Sequence, residues 1–301
     1  MNKINCKIYD FISYSRSIFF ISIFLCITSC ILIMSKGFHW GLDFTGGIFI
    51  EVIADQDLDI IKIRNAFSKS DFKSSIVQYL NNAKNMAIRV PCISYDIHFD
   101  QQVRISILNI LNNNIDCPFV VQQMTWIGPS VNKNLMRTNI IVLLVVLLCI
   151  LLYLTFRFEL KLAIATIISL VHDIIIILGI LSIFSIEINL TIIAALISAI
   201  SYSLNDNIVI FDRIRENYNY FYKLSLFKIF NISLSQVLKR SIITSVTTTM
   251  VLLILLIFGG PALYEFSITL LLGVIIGTAS SIYIASVLAF YLKNKSYSTI
   301  H

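Results

Sequence analysis

Six long apolar runs constrain what this chain of 301 residues can fold into. Each approaches the roughly 20 residues that an α-helix needs to cross a hydrocarbon layer about 30 Å thick. The runs cover 17–35, 139–156, 162–184, 188–211, 242–258 and 266–292. Only 13% of all residues are charged, against about 25% in an average soluble domain. The sequence therefore argues against a soluble enzyme and predicts a polytopic membrane protein with six transmembrane helices.

The distribution of basic residues predicts the orientation of these spans. Six spans place both termini on one side, and lysines and arginines in short loops mark the cytoplasmic side. Thirteen of the 23 basic residues lie at the two ends of the chain or between spans 2 and 3 and spans 4 and 5. The other ten lie in or beside the long loop after span 1, and the short loops around Glu187 and at 259–265 contain none. We therefore expect cytoplasmic termini and an external long loop.

Span 1 has a second interpretation, as a cleaved signal peptide. Ile27-Thr28-Ser29-Cys30 resembles a lipoprotein cleavage site and basic residues precede it. The apolar run continues past Cys30 to Met34, however, which favours a retained helix. The expected organisation is therefore a cytoplasmic N-terminus with helix 1 at 1–35, an external domain at 36–137, and helices 2–6 with a cytoplasmic C-terminus at 138–301.

The long loop predicts a small α+β domain. Strand patterns at 48–53, 75–80, 86–90 and 119–127 alternate with helical patterns at 58–68 and 97–112, with Asp57 as the candidate N-cap of the first helix. The order β-α-β-β-α-β is that of the ferredoxin-like fold. Ten basic and nine acidic residues nearly balance, so no nucleic-acid surface is indicated, and the lone His98 has no catalytic partner pattern.

The six cysteines follow no metal-binding or redox spacing. The sequence therefore predicts no metal site and no cofactor. Cys92 and Cys117 are the two that fall in the external domain. They form either a disulfide, as an oxidising compartment allows, or two separate thiols.

Ordered motifs run through almost the whole chain. They are GLDFTGG at 41–47, GPS at 128–130, HD at 172–173, YSLNDNIVIFDRIREN at 202–217, FGGP at 258–261 and GTASS at 277–281. The paired glycines at 46 and 47 allow positive φ angles at the exit from span 1. Together these blocks resemble the SecD/SecF family of protein-export membrane subunits, which belongs to the wider RND-type transporter superfamily.

Three ionisable groups inside or beside the spans are candidate functional residues. Asp173 lies in span 3 beside His172, Asp206 lies in span 4, and Arg240 lies at the cytoplasmic mouth of span 5. Because charge in hydrocarbon costs several kcal/mol, such groups normally face the protein interior or a hydrated cavity. Arg240 either snorkels to the membrane surface or faces Asp206. A pair formed by Asp206 and Arg240 is either a structural link between helices or part of a proton pathway. His172 and Asp173 likewise either link helices or support proton transfer.

Helical spacing predicts that two polar faces meet. One side of span 4 carries Ser198, Tyr202, Asn205 and Asp206, and one side of span 5 carries Arg240, Thr244, Thr247 and Thr248. Spans 4 and 5 are antiparallel neighbours in sequence, so these residues lie at similar depth. We expect a hydrated seam between the two helices.

Span 6 carries small residues at a spacing of four. Gly273, Gly277 and Ser281 form a stripe that permits close helix approach. The stripe fits equally well packing within this chain and contact with another chain.

The family resemblance implies a function for these residues. In SecD/SecF proteins the position of Asp206 takes part in proton transfer, and the position of Arg240 is required with it. The resemblance further implies a bacterial inner-membrane subunit that pairs with SecD and works with the SecYEG channel. YajC and YidC are candidate further partners. The subunit is expected to use the proton gradient to move preproteins, without covalent chemistry. Two alternatives are a small-molecule exporter of the same superfamily and a membrane scaffold without ion coupling.

Overall fold

A computed structural model of the chain describes residues 8–13, 15–70, 72, 75–79, 83–90, 97–115, 117–127, 129–221 and 224–297. Its helices are α1 (Ser15–Lys36), α2 (Leu42–Thr45), α3 (Ile60–Ser68), α4 (Ile97–Asn114), α5 (Pro129–Arg157), α6 (Leu160–Ile183), α7 (Leu190–Tyr220), α8 (Leu226–Phe258), α9 (Gly260–Ser280) and α10 (Ser286–Tyr297). A π-helical turn, Ser281–Ala285, joins α9 to α10. The strands are β1 (Gly47–Ala54), β2 (Ile76–Tyr79), β3 (Asn85–Val90) and β4 (Phe119–Ile127).

The six predicted transmembrane helices are confirmed. Within the described residues, six helical segments are long and apolar enough to cross a membrane, and they are α1, α5, α6, α7, α8 and the continuous α9–α10 segment. Helices suit this environment because they satisfy their backbone hydrogen bonds internally. In their most apolar stretches about half of the residues are buried in α6, α7 and α9–α10, but only about a tenth or fewer in α1, α5 and α8. The first three therefore form the centre of the bundle.

The predicted α+β domain is also confirmed, with the element order β-α-β-β-α-β. Its four-stranded antiparallel sheet has the order β2-β3-β1-β4. Alternate residues of the central strand β1, among them Ile48, Ile50 and Val52, are buried in a core that includes Phe67 of α3 and Ile107 of α4. One face of the sheet is therefore covered by the two helices, as the alternating sequence pattern requires.

Helix α3 begins two residues later than the sequence pattern predicted. Its N-cap is Asp59, whose Oδ1 accepts hydrogen bonds from the backbone N–H groups of Ile61 and Lys62. The expectation that Asp57 is the cap is therefore wrong. Asp57 and Asp59 both precede an apolar run, and side-chain type alone does not distinguish two neighbouring aspartates.

Helix α8 begins at Leu226, well before the apolar run that starts at 242. Its first half mixes polar and apolar residues, and Phe230, Asn231 and Ser233 are buried there. Asn217 of α7 donates a hydrogen bond to the Ser233 hydroxyl at 2.9 Å. The helix thus extends out of the expected membrane region and packs against the end of α7.

The N-terminal segment, residues 8–13, is held against this first half of α8. The Asn231 side chain accepts hydrogen bonds from the backbone N–H groups of Phe11 and Ile12 and donates one to Asp10 at 2.8 Å. Hydrogen bonds from the Ser13 hydroxyl and Asn231 hold the pKa of Asp10 below its ordinary value. Phe11 and Ile12 are buried, so the segment closes this end of the bundle.

The α+β sheet domain is attached to the helix bundle through the segment that follows α1. Trp40 and Ile188 form an isolated parallel bridge, in which Gly41 N–H donates to the Ile188 carbonyl at 2.8 Å. The predicted positive φ angles occur at Gly46 (73°) and Gly47 (134°), where the chain turns into β1. The GG motif therefore sets the geometry with which the domain leaves the membrane region.

Some sequence expectations fall outside the described residues. Cys92 and Gly128 are among them, as is the side chain of His98. The pairing of Cys92 with Cys117 therefore stays a prediction.

Candidate functional site

Asp206 is a buried carboxylate of α7. The residue is 5% exposed, and its Oδ2 has no hydrogen-bond partner among the described residues. Thr278 of α9 interacts with the carboxylate by hydrogen bonding, and Arg240 of α8 interacts with it electrostatically. A buried carboxylate normally has each oxygen hydrogen-bonded, because an unsatisfied one costs several kcal/mol. The surroundings of Asp206 therefore satisfy its charge only in part.

Arg240 lies on the outward side of α8. Its side chain is exposed, and it makes no direct ion pair with Asp206 within the described part of the chain. The last 20 or so residues of α8 suffice to cross the hydrocarbon layer, which places Arg240 at its boundary. The guanidinium can therefore reach water or another chain while it still acts on Asp206 through space.

Of the side chains expected at the seam between spans 4 and 5, Tyr202 makes a hydrogen bond across it, but its partner is Ser245, which the helical spacing did not select. The Tyr202 hydroxyl of α7 donates to Ser245 Oγ of α8 at 3.2 Å, and Ser245 and Thr278 hydroxyls lie 2.6 Å apart. Thr244 and Thr248 instead donate to carbonyls of their own helix at 3.1 and 2.9 Å. One helical position is about 100° of rotation, and this moves the contact from Thr244 to Ser245.

Asn205 is likewise placed away from the seam. Its side chain is exposed, whereas the next residue, Asp206, is buried. Asn205 is thus an exposed polar side chain of the central helix α7, and Arg240 is an exposed polar side chain of the outer helix α8. The structure brings Asp206 near Arg240, but it does not bring Asn205, Thr244 or Thr248 into contact with the carboxylate.

A second buried acid forms a more completely hydrogen-bonded cluster. Asp173 of α6 is 5% exposed, and its Oδ2 accepts hydrogen bonds from Ser203 of α7 at 3.0 Å and Ser280 of α9 at 2.7 Å. Its Oδ1 lies 3.0 Å from Nδ1 of His172, whose Nε2 lies 2.6 Å from the Ser22 hydroxyl of α1. Four helices therefore meet at one carboxylate and one imidazole.

Two polar side chains beside this cluster are buried without hydrogen-bond partners among the described residues. They are Ser169, through its hydroxyl, and Asn207, through both amide atoms. Each is 0% exposed. Ser169 lies one turn from Asp173 on α6, and Asn207 lies one turn from Ser203 on the antiparallel helix α7, so both lie on the same side of the Asp173–Ser203 contact.

Sequence reasoning missed the polar junction between the sheet domain and the bundle. Arg89 of β3 forms an ion pair with Glu187 in the loop between α6 and α7. Asn189 of the same loop hydrogen-bonds Glu265 of α9, and Asp43 accepts from the Leu190 N–H at 2.9 Å. These partners lie far apart in sequence, and no local periodicity signals them.

Comparison with known protein families matches two models. The model described as "Protein export membrane protein SecD/SecF, C-terminal" matches residues 107–295, and the "SecD/SecF GG Motif" model matches residues 31–57. The chain belongs to the SecD/SecF family. The second match contains the glycine pair whose positive φ angles direct the chain into β1.

Curated relatives cover nearly the entire chain. The protein translocase subunit SecF of Escherichia coli O157:H7 is 44% identical over 289 residues, which are 96% of this chain and 89% of the relative. The protein translocase subunit SecF of Haemophilus influenzae is 37% identical over 288 residues, 96% of this chain and 87% of the relative. With its six apolar helices, this SecD/SecF family member is a multi-pass protein of the inner membrane.

Solved structures show the same fold. SecDF from Thermus thermophilus, described as a translocon-associated membrane protein, matches with a TM-score of 0.84 and 29% identity over 98% of this chain. A super-membrane-facing form of SecDF matches with a TM-score of 0.72 and 28% identity over the same share. The match covers 40% of each of those chains, so this family member spans two fifths of the length of the solved proteins.

Proposed function

We propose that this chain acts as the SecF-type subunit of a bacterial protein translocase, in which it pairs with a SecD chain and couples the proton gradient to preprotein movement. The names of the curated relatives and of the SecDF structures support the Sec assignment. The coupling rests on one observation, the buried Asp206 carboxylate with an unpartnered oxygen near Arg240. The subunit performs no covalent chemistry.

The physical basis is the change in the surroundings of Asp206 during helix movement. Burial disfavours an ionised carboxylate and a nearby cation favours it, so the proton affinity depends on the distance to Arg240. A movement that changes this distance makes Asp206 bind a proton from one side and release it to the other. One charge that crosses 100 mV supplies about 2.3 kcal/mol, enough to bias two conformations separated by a few kcal/mol.

The proposed topology places both termini in the cytoplasm and residues 36–137 in the periplasm. The basic residues of the short loops support this orientation. Asp206 then lies in the cytoplasmic half of α7, and the Arg89–Glu187 junction lies at the periplasmic surface. The sheet domain is thereby positioned to transmit movement between the bundle and an emerging preprotein.

The proposed SecD partner covers helices that this chain leaves uncovered. About a tenth or fewer of the residues in the apolar stretches of α1, α5 and α8 are buried. The exposed Arg240 belongs to this uncovered surface, and the exposed Asn205 lies on α7. SecYEG is the proposed channel partner, and YajC and YidC are candidate further partners.

The decisive experiment replaces Asp206 by Asn in vesicles that contain the subunit with its partner and channel. We expect the complex to copurify normally while the stimulation of preprotein export by an imposed proton gradient disappears. Asp212→Asn is the matched control, because Asp212 lies on the same helix in ion pairs with Arg157 and Arg215. Unchanged stimulation in the Asp206→Asn variant would overturn the proposal and favour the uncoupled scaffold.

A second variant pair tests the role of Arg240. Arg240→Lys keeps the charge but moves it, and Arg240→Ala removes it. We expect both to change the pH profile of gradient-driven export, with the larger loss for alanine. Wild-type profiles in both variants would show that Arg240 does not act on Asp206. Gradient-driven efflux of a small molecule, without any effect on preproteins, would instead support the exporter alternative.

A further inference from the structure

His172 and Asp173 are arranged as a hydrogen-bonded acid–base pair. His172 Nδ1 faces Asp173 Oδ1 at 3.0 Å, which fixes the Nδ1–H tautomer when the ring is neutral and the carboxylate is ionised. Nε2 then accepts a hydrogen bond from the Ser22 hydroxyl at 2.6 Å. The ring nitrogen that is free to take up a proton is therefore the one that faces α1.

One proton changes the charge of this pair from −1 to 0. A proton that arrives at Nε2 gives an imidazolium beside a carboxylate, and no covalent bond within the pair changes. Ser22 then accepts a hydrogen bond from Nε2 instead of donating one. Proton uptake by the pair reduces the net buried charge. This is favourable because an isolated charge in a low-dielectric interior is costly.

The groups around the pair are almost all neutral. From α7 and α9 the contacts are the hydroxyls of Ser203 and Ser280, which both donate to Asp173 Oδ2. From α1 the Cys26 thiol is also within electrostatic reach of Asp173. The neighbouring carboxylate, Asp206 of α7, interacts with Arg240 and Thr278. Among the described residues no arginine or lysine contacts the pair to hold its negative charge.

Two independent observations indicate that the cluster is more than a rigid link between helices. Ser169 and Asn207 are fully buried beside it with unpartnered polar atoms, and buried polar atoms of this kind are normally satisfied by internal water. The π-helical turn Ser281–Ala285 begins directly after Ser280, and such turns occur frequently at functional sites. Asn207 directly follows Asp206 in the chain, so its unpartnered atoms lie on the side of the Asp173 cluster on which Asp206 lies.

We propose that His172 and Asp173 form a second proton-binding site, which exchanges its proton with Asp206 through water held by Ser169 and Asn207. The binding of the proton by the pair stands on the pair's own geometry, whereas the exchange rests on the proposed function of Asp206. When the pair is protonated, the positive charge of the imidazolium offsets that of the ionised Asp173 carboxylate, which weakens the charge-assisted hydrogen bonds from the Ser203 and Ser280 hydroxyls. Proton occupancy therefore loosens the contact of α7 and α9 with α6.

The test is the protonation state of one histidine. The sequence has four histidines, so replacement of His39, His98 and His301 by Gln leaves His172 as the only one in this subunit. The full-length subunit, labelled with ¹⁵N-histidine and reconstituted with an unlabelled partner, then gives one pair of ring signals by NMR. We expect His172 to gain a proton as the pH falls from about 9 to about 5.

Asp173→Asn is the matched variant, because the amide oxygen still accepts hydrogen bonds but cannot share a proton. We expect His172 to stay neutral across the same range in this variant, while the complex still copurifies and gradient-driven export falls at least tenfold. A His172 ring that is neutral at every pH in the unsubstituted subunit would overturn the proposal. Identical titration with and without the Asp173 carboxylate would overturn it as well.

Asp206→Asn separates this inference from the proposed function. If Asp206→Asn abolishes gradient-driven export but His172 never titrates, the coupling role of Asp206 stands and the second site is refuted. If His172 titrates with Asp173 but Asp206→Asn exports normally, the proton site stands and the coupling role of Asp206 is refuted. Asn207→Leu, which removes the polar atoms at similar volume, should slow export with an unchanged His172 titration; an unchanged export rate would refute the water link.

Discussion

Gly273 sets the distance between the two central helices α7 and α9. A Cβ atom at this position would lie 2.3 Å from Cβ of Ala199 and 3.4 Å from its Cα. Ordinary carbon–carbon contact requires about 3.5–4.0 Å, so Gly273→Ala forces the helices apart locally by more than about 1 Å. The displacement also shifts Ser203, one turn along α7, and so disturbs its 3.0 Å hydrogen bond to the Asp173 carboxylate of α6.

The expected cost follows from this overlap. Excess volume in a well-packed interior destabilises by about 1–3 kcal/mol, which lowers the ratio of folded to unfolded protein by about fivefold to more than a hundredfold. The reciprocal change, Ala199→Gly, removes the atom that the new Cβ meets. Glycine costs about 1 kcal/mol relative to alanine within a helix, and the double variant exchanges one glycine for another. We therefore expect the double variant to return close to the original stability.

The measurement is a double-mutant cycle in detergent, with unfolding by SDS followed through the circular dichroism of the helices. The coupling energy between the two substitutions should reach at least about 1 kcal/mol and have a restoring sign. Ala279→Val is the control, because Ala279 is exposed on the same helix and should change stability by less than about 0.5 kcal/mol. A coupling energy near zero, or equal losses in the control and Gly273→Ala, would refute the packing argument.

Three further predictions concern the parts of the chain outside the membrane. Asp59→Ala should destabilise the sheet domain by about 1 kcal/mol through loss of the α3 cap, whereas Asp57→Ala should have no effect, as followed by hydrogen exchange of α3 amides. Arg89→Gln and Glu187→Gln should each weaken the junction between the sheet domain and the bundle by roughly 1–2 kcal/mol, since the ion pair is partly buried. The double variant should cost little more than either single variant, as measured by cysteine cross-linking across the junction. Asp10 has a lowered pKa in the folded chain, so its ionised form stabilises the docked N-terminal segment at pH values above its unfolded pKa, near 3.9. This stabilisation is lost as the pH falls through the folded pKa. Protease cleavage of the N-terminal segment should therefore increase in that acidic range.

Each of these predictions has an opposing outcome. Equal effects of Asp57→Ala and Asp59→Ala would show that the cap assignment is incorrect. Additive losses from Arg89→Gln and Glu187→Gln would mean that the two side chains act independently. Protease cleavage that does not change with acidification, or that changes equally in Asp10→Asn, would show that the Asp10 hydrogen bonds do not hold the N-terminal segment.

The sequence predicted the spans and the sheet because both depend on local periodicity. Long apolar runs form helices in lipid, and the short apolar run of β1 between glycines and polar residues predicts a strand, whose alternate residues face the domain core. The boundaries were less predictable where polar and apolar residues are mixed. Helix α8 begins at Leu226 because its first turns pack against α7 and the N-terminal segment, and this tertiary contact leaves no signal in a hydropathy window.

The candidate site was predictable residue by residue but not contact by contact. Asp173, Asp206 and Arg240 are conspicuous because charge is rare in apolar helices. Their partners are not conspicuous: Ser203 and Ser280 contact Asp173, and the sequence contains many serines with the same local surroundings. Which hydroxyl faces a carboxylate depends on helix rotation and on close approach at glycines, and neither is visible in a single sequence.

The distribution of polar groups over the bundle bears on how the two acids work. Asp173 is enclosed by this chain alone, because α1, α6, α7 and α9 all supply its hydrogen-bonded surroundings. Asp206 is enclosed on the side of α9, but the cation that acts on it is exposed on the outer surface of α8. A change in the partner's packing can therefore alter the field at Asp206 while it leaves the Asp173 cluster intact. In the proposed mechanism, the carboxylate near the exposed arginine is thus the one suited to sense movement between subunits, and the enclosed pair is suited to hold a proton while that movement takes place.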